Sequence, residues 1–277
     1  MSKYFITFGG GAFGSKGEWG AVAERLGVEV TNTRLFDEVI AYTLEDLKSD
    51  KNFWSSHSEF IKKNKRGYGY WLWKPYLIGK TMRSMKDGDV LLYLDAGCEI
   101  TIGDKYTPRG YWQDCVTPIE NCIEAIGREK IIGTSLGAAH PEAEWTKMDL
   151  PLRLGIADEP YMKEPQRQSG TIFFSVCEET RKFVNDWYSL CCDYHLIDDS
   201  PSISKNYEGF REHRHDQSVF SQLTKKRRLG WFARKNTWPA NDLCPTGIYA
   251  RYSRCKKTSW QDCKLPLSCG KWLQPNN

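Results

Sequence analysis

No stretch of this 277-residue chain stays apolar for the roughly 18 residues that a membrane-spanning helix requires. The opening segment, Met1 to Gly9, is apolar over too few residues for a secretory signal and reads instead as a first strand. A cytoplasmic protein is expected, or one that works at a membrane surface without an anchor of its own. A dominant charge sign is also missing. Lys and Arg total 39 against 35 Asp and Glu, a net +4, which argues against a general nucleic-acid binder. The ten cysteines include no Cys-x-x-Cys pair. Cys98, Cys115, Cys122, Cys177, Cys191 and Cys192 lie in apparent core segments and are expected as free thiols. Cys244, Cys255, Cys263 and Cys269 cluster in the tail, with spacings that do not suit a zinc site. The glycines between Gly9 and Gly20 lack both the dinucleotide fingerprint and a Gly-Lys-Ser/Thr ending. There is no internal repeat and no linker-like tract.

What is present is an ordinary balance, 40% hydrophobic and 27% charged, with a surplus of aromatics. Aromatic residues make up 13% of the chain, 11 of them Trp, and flat ring faces suit sugar-binding clefts as well as cores. The length suits one large α/β domain over 1–277, with a basic, irregular extension from about residue 225.

The most informative segment is Asp89-Val-Leu-Leu-Tyr-Leu-Asp-Ala-Gly-Cys-Glu99. Its apolar run, Val90 to Leu94, predicts a strand buried on both faces. The run stops at Asp95, Ala96 and Gly97, the edge where open α/β sheets bind ligands. Asp95 either holds a divalent cation carrying a diphosphate or caps a turn. Strands are also expected at Tyr4–Phe8, Phe36–Tyr42, Ile131–Ser135 and Gln168–Ser175. Helices are expected at Trp19–Leu26, from a Thr43/Asp46 capping box to about Asn64, at Tyr76–Met85, Glu178–Cys192 and Asp216–Thr224. The alternation in the first hundred residues predicts a mostly parallel central sheet flanked by helices.

Three further clusters carry polar chemistry. Arg66-Gly-Tyr-Gly-Tyr-Trp-Leu-Trp-Lys-Pro75 precedes the helix that leads into the Asp95 strand. Arg66 and Lys74 are therefore placed to neutralise a diphosphate, unless they are simply solvated. Glu212-His-Arg-His-Asp-Gln-Ser218 opens a helix. There Asp216 serves as a proton acceptor or as a plain cap, and His213 or His215 binds metal or phosphate or lies at the surface. Arg167-Gln168-Ser169-Gly170 enters the fifth strand as a ligand-facing stretch, and Leu196 to Pro201 is a loop able to close over an acceptor or a plain turn.

Taken in order, the strand ending Thr7-Phe8-Gly9, the Arg66–Pro75 segment, Tyr93-Leu-Asp-Ala-Gly97, Gln168-Ser-Gly-Thr-Ile-Phe-Phe174 and His215-Asp-Gln217 resemble the GT-A-fold glycosyltransferases of bacterial capsule synthesis and of chloroviruses. The capsid-glycan xylosyltransferases of chloroviruses are the nearest kind, and a viral source would place the protein in host cytoplasm. The resemblance covers roughly residues 1–225. It implies a UDP-sugar donor, xylose among the candidates, a glycan hydroxyl as acceptor, and Mn²⁺ or Mg²⁺ as cofactor. It places Thr7, Phe8 and Gly9 beside the nucleotide base and Arg66, Lys74, Asp95, Ala96 and Gly97 around the donor. Arg167, Gln168 and His215 would meet the acceptor, and Asp216 and Gln217 the reacting sugar. The family's Asp-x-Asp motif is incomplete, because Gly97 stands where the second acid would be. Water, Glu99 or a histidine from His213 to His215 fills in, or metal dependence is looser. A sugar-phosphate nucleotidyltransferase and a non-catalytic glycan-binding module remain competing readings.

Overall fold

The structure, a computed structural model, describes residues 1–11, 19–100, 116–136, 138–234 and 249–250. The chain order is β1 (Lys3–Gly9), α1 (Trp19–Thr33), β2 (Glu38–Thr43), α2 (Leu44–Ser49), α3 (Lys51–Lys63), α4 (Gly67–Tyr70), α5 (Trp73–Ser84), β3 (Val90–Leu94) and β4 (Cys98–Glu99). It continues with α6 (Val116–Glu129), β5 (Ile131–Ser135), α7 (Glu142–Trp145), α8 (Asp149–Leu154), α9 (Glu159–Lys163), β6 (Arg167–Ser175), α10 (Glu178–Cys192), α11 (His215–Arg227), β7 (Trp231–Arg234) and β8 (Tyr249–Ala250).

Six strands form a central sheet in the order β2-β1-β3-β6-β5-β7. The inner strands β1 and β3 are apolar without alternation because both faces are covered. Ile6, Phe8, Leu91, Tyr93, Ile172 and Phe174 pack with α5, α10 and α11 on one face. Phe5, Val90, Leu92, Leu94 and Phe173 pack with α1 and α6 on the other. The β1–β2, β1–β3 and β5–β7 pairs are parallel, whereas β6 runs antiparallel to both β3 and β5. The sheet is therefore mixed, and β6 brings its amino end to the edge where β1 and β3 present their carboxyl ends. The chain leaves β1 outward to β2 and returns on the other side as β3, so that edge contains a topological switch point.

Two expectations need correction. The polar helix after Thr43 is two helices. The capping box is present, but Asp50 adopts an extended conformation (φ −77°, ψ 92°), ends α2 and caps α3 through Phe53 N. A short Asp side chain that bonds the backbone locally competes with helix continuation. The region after 225 is also not wholly irregular. Helix α11 runs to Arg227, β7 pairs with β5, and β8 pairs with β4. The four tail cysteines lie outside the described residues. Among the described residues, no helix is long and apolar enough to cross a membrane.

Candidate active site

The switch-point edge opens into a cleft of about 400 Å³, lined from β1, α4, α5, the turn after β3, β6 and the start of α11. That volume lies within the range of small-molecule sites. Local structure makes the cleft. Residues Gly67 to Trp71 all have positive φ, between 52° and 83°. Gly69 is required there, because a Cβ would lie 2.7 Å from Ile61 Cγ1 at φ +83°. Tyr68, Tyr70 and Trp71 tolerate the left-handed region at about 1–2 kcal/mol each. His215 is also left-handed, at φ 56°, and its ring stacks on Tyr70 (4.8 Å) and Trp71 (5.5 Å). Four of the seven described non-glycine residues with positive φ, Tyr68, Tyr70, Trp71 and His215, thus fall in the two segments that border this cavity.

The floor is a buried polar knot. Lys74, in the first turn of α5, is 2% exposed. Its Nζ lies 3.2 Å from Asp95 Oδ1, 2.9 Å from Asp216 Oδ2 and 3.1 Å from Ser169 Oγ. Ser169 donates to Asp216 Oδ2 at 2.8 Å, and the Tyr93 hydroxyl donates to Asp95 Oδ1 at 2.6 Å. Burial pushes the Asp216 carboxyl up to about 6, against the opposing pull of Lys74. The two carboxylates hold the Lys74 ammonium in its charged form despite full burial. The turn bearing Asp95 is fixed from behind. Arg25, ion-paired with Glu29, donates to Ala96 O at 3.0 Å and Cys98 O at 2.8 Å, and Glu29 accepts from Ile100 N at 2.9 Å.

The mouth is a looser network. Arg66 reaches Asp199 at 3.2 Å and also pairs with Glu212, and Arg214 lies 3.4 Å from Glu212. Lys65, Arg66, Lys74 and Arg214 line the cleft against only two carboxylates, Asp95 and Asp216, so the lining favours an anionic ligand.

Of the residues expected at the site, Phe8, Arg66, Lys74, Asp95, Ala96, Gly97, His215, Asp216 and Gln217 line this cleft. Others do not. Thr7 is buried with its hydroxyl unpartnered among the described residues, and Gly9 sits where a Cβ would lie 2.0 Å from Trp19 O. Gly10 and Gly11 take their place at the lining. Arg167 turns away onto the Phe232 ring, 4.3 Å from its guanidinium, and Gln168 bonds Thr134. The strand places Ser169, not its neighbours, against Asp216. Lys74 was expected to face a diphosphate, but its partners are the two acids. Asp216 is not a helix cap, since α11 has no side-chain cap. Gln217 donates to Gln166 Oε1 at 2.7 Å.

His213 is structural. Its Nδ1 accepts from Lys147 N at 3.1 Å and its Nε2–H donates to Leu196 O at 2.8 Å, so both nitrogens are used. His215 donates Nδ1–H to Ile197 O at 2.7 Å, and burial pushes it down to about 4, so it is neutral at pH 7. Its Nε2 is buried and faces Asp199 at 3.8 Å. The loop after Leu196 is stapled rather than free. Asp149 accepts from Ile203 N and Ser204 N, both at 2.8 Å, and from His195 at 2.7 Å.

The described residues fit a divalent ion poorly. Among them, no three His, Cys, Asp or Glu side chains gather as a metal site. The Glu99 side chain, one candidate for the missing acid, lies outside the described residues. Lys65 and Trp19 are site residues outside the motifs, while Ser169, Tyr93, Arg214 and Tyr68 stand within them but were given no role of their own. Tyr93 carried a readable signal, since it precedes Asp95 by two and shares its side of the strand.

No protein-family model matches this chain, and no curated protein matches it. Among solved structures, the chain is similar to mouse xyloside xylosyltransferase 1 in its apo form. Identity is 12% over 85% of this chain and 86% of that one, with a TM-score of 0.43.

Proposed function

We propose that the protein is a glycosyltransferase that moves a sugar from a nucleoside diphosphate sugar, UDP-linked by the family resemblance, to a hydroxyl of a glycan. The observation that carries this reading is the placement of Asp216. A fully buried carboxylate, raised to about 6, sits on the floor of a cation-lined, aromatic-walled cleft at a switch point. In transfer, the bond from the anomeric carbon to the diphosphate oxygen breaks and the acceptor oxygen bonds to that carbon. The hydroxyl proton passes to Asp216. The departing diphosphate gains charge, and Lys65, Arg66 and Arg214 at the mouth offset it. Trp71 and Tyr68 provide ring faces for a sugar. A glycan-binding module has no use for a buried carboxylate poised near neutrality.

The test is a panel of UDP-, GDP- and dTDP-sugars incubated with the protein. Slow release of nucleoside diphosphate from at least one donor, faster with an oligosaccharide acceptor, is expected. No binding of any nucleoside diphosphate and no donor turnover would overturn the assignment.

A further inference from the structure

The resemblance implies a metal, and the floor of the cleft disagrees with it. An ammonium has three N–H donors and no more. Lys74 donates one to Ser169 at 3.1 Å and is ion-paired with Asp95 at 3.2 Å and Asp216 at 2.9 Å, with the Tyr93 ring 5.4 Å from Nζ. It cannot turn toward a ligand without leaving two carboxylates unpaired, one of them fully buried, which is costly. The same geometry already supplies both acids with a cationic partner. Asp95 is neutralised at Oδ1, Asp216 bonds through Oδ2 to Lys74 and Ser169, and the second motif position is Gly97. Both nitrogens of His213 are occupied. Divalent ions such as Mg²⁺ use one or two carboxylates plus substrate phosphates, and here the charge of the one partly exposed carboxylate is already met.

We propose that the cleft binds a nucleoside diphosphate without a divalent ion, because the buried Lys74 ammonium, ion-paired with both Asp95 and Asp216, already meets the charge of the acids a metal would need. This inference rests on the glycosyl-transfer reading. Lys74 holds the two carboxylates at fixed separation and keeps Asp216 beside the reacting carbon. The diphosphate is met instead by Lys65, Arg66 and Arg214, three cations on the cleft lining that need no metal to recruit them. Binding is then governed by direct charge pairs and weakens with salt.

Calorimetric titration of UDP into the full chain decides the matter, run in EDTA and again in millimolar Mn²⁺ or Mg²⁺. Affinities equal within about threefold are expected, a difference below 0.7 kcal/mol. Titration of Mn²⁺ alone should show no site. A gain of about tenfold or more with either metal overturns the inference and leaves the transferase reading standing. Absence of UDP binding in every buffer, with no donor turnover, overturns both. A second measurement uses Lys74→Ala. Removing the ammonium opens the space between two acids, so Mn²⁺ should raise the melting temperature of the variant but not that of the wild type. A wild-type protein stabilised by Mn²⁺ as much as the variant would show that Lys74 does not occupy the metal position. If the variant does not fold, the wild-type titrations decide alone.

Discussion

One cleft contains two ion-pair networks that obey different rules. On the floor, Lys74 and Asp216 are 2% and 4% exposed at the side chain, while at the mouth Arg66 and Asp199 are each 44% exposed. Distances in the two are similar, near 3 Å. The floor charges have lost their water and depend on one another and on Ser169, so removing one strands the rest. The mouth charges keep their water, are screened by salt and gain little from pairing. Similar contacts therefore predict rigidity below and exchangeability above. The proposed transfer would use that division: a fixed carboxylate to accept the proton, and cations that can trade protein carboxylates for a ligand's phosphates.

The largest effect should come from breaking the floor. Lys74→Ala leaves Asp95 and Asp216 without their common cation, and the loss of a partner from a buried pair costs about 3–5 kcal/mol. Urea denaturation in metal-free buffer measures it. A loss under about 1 kcal/mol would place this knot among the exposed pairs.

Next is Asp216→Asn. Asparagine keeps the shape and leaves Lys74 paired with Asp95, so UDP affinity should stay within about threefold. Transfer should fall at least roughly a hundredfold, about 2.7 kcal/mol, because the proton acceptor is gone. Since Asp216 does not cap α11, helix stability is not the cause of the loss. Near-wild-type transfer would remove Asp216 from the chemistry. The wild-type rate should also climb with pH through about 6, where Asp216 ionises, and this limb should vanish in the variant.

A third effect concerns stability and pH. His213 and His215 are pushed down from 6.5 to about 3 and about 4 by burial. Below pH 6.5 the unfolded chain takes up protons that the folded one refuses, so stability falls as pH drops toward 4. The slope is about 1.4 kcal/mol per pH unit for each histidine. Asp216 works in the opposite sense, because its folded value is raised and its protonation favours the fold between about 4 and 6. Two histidines outweigh one carboxylate, so the net slope remains downward. Denaturation midpoints at pH 7, 6 and 5 measure it, and a flat profile would mean that the histidines are hydrated.

How much of this was legible depends on which physical signal wrote it. The β3 run and the acid that ends it were readable because burial on both faces forces an unbroken apolar stretch. The start of α11 was readable because an apolar run follows a dense polar cluster. The direction of β6 was not, since an apolar strand reads the same in either orientation. That direction is what brings Ser169 to the edge and turns Arg167 onto Phe232. Lys74 looked like a ligand-facing cation. Its two partners lie 21 and 142 positions further along the chain, and only the fold brings them together. The break at Asp50 was written in one residue, an aspartate able to end one helix and cap the next.

The smallest stability effect should come from the mouth, and it sharpens the contrast most. Arg66 pairs with Asp199 and Glu212 while nearly half of its side chain meets solvent. Exposed pairs contribute about 0–1 kcal/mol, so Arg66→Ala should scarcely move the denaturation midpoint. Ligand binding should respond differently. With no ligand, the guanidinium is already compensated by two carboxylates that stay hydrated. Exchanging them for a diphosphate costs little and yields a bidentate, charge-assisted contact. Arg66→Ala should therefore weaken UDP binding by about tenfold, 1.4 kcal/mol, and flatten its dependence on salt. Arg66→Lys should recover the charge but not the fork, and so only part of the affinity. Calorimetry on both variants at two ionic strengths separates this from a purely structural latch. A latch would move stability and leave UDP affinity and its salt slope unchanged.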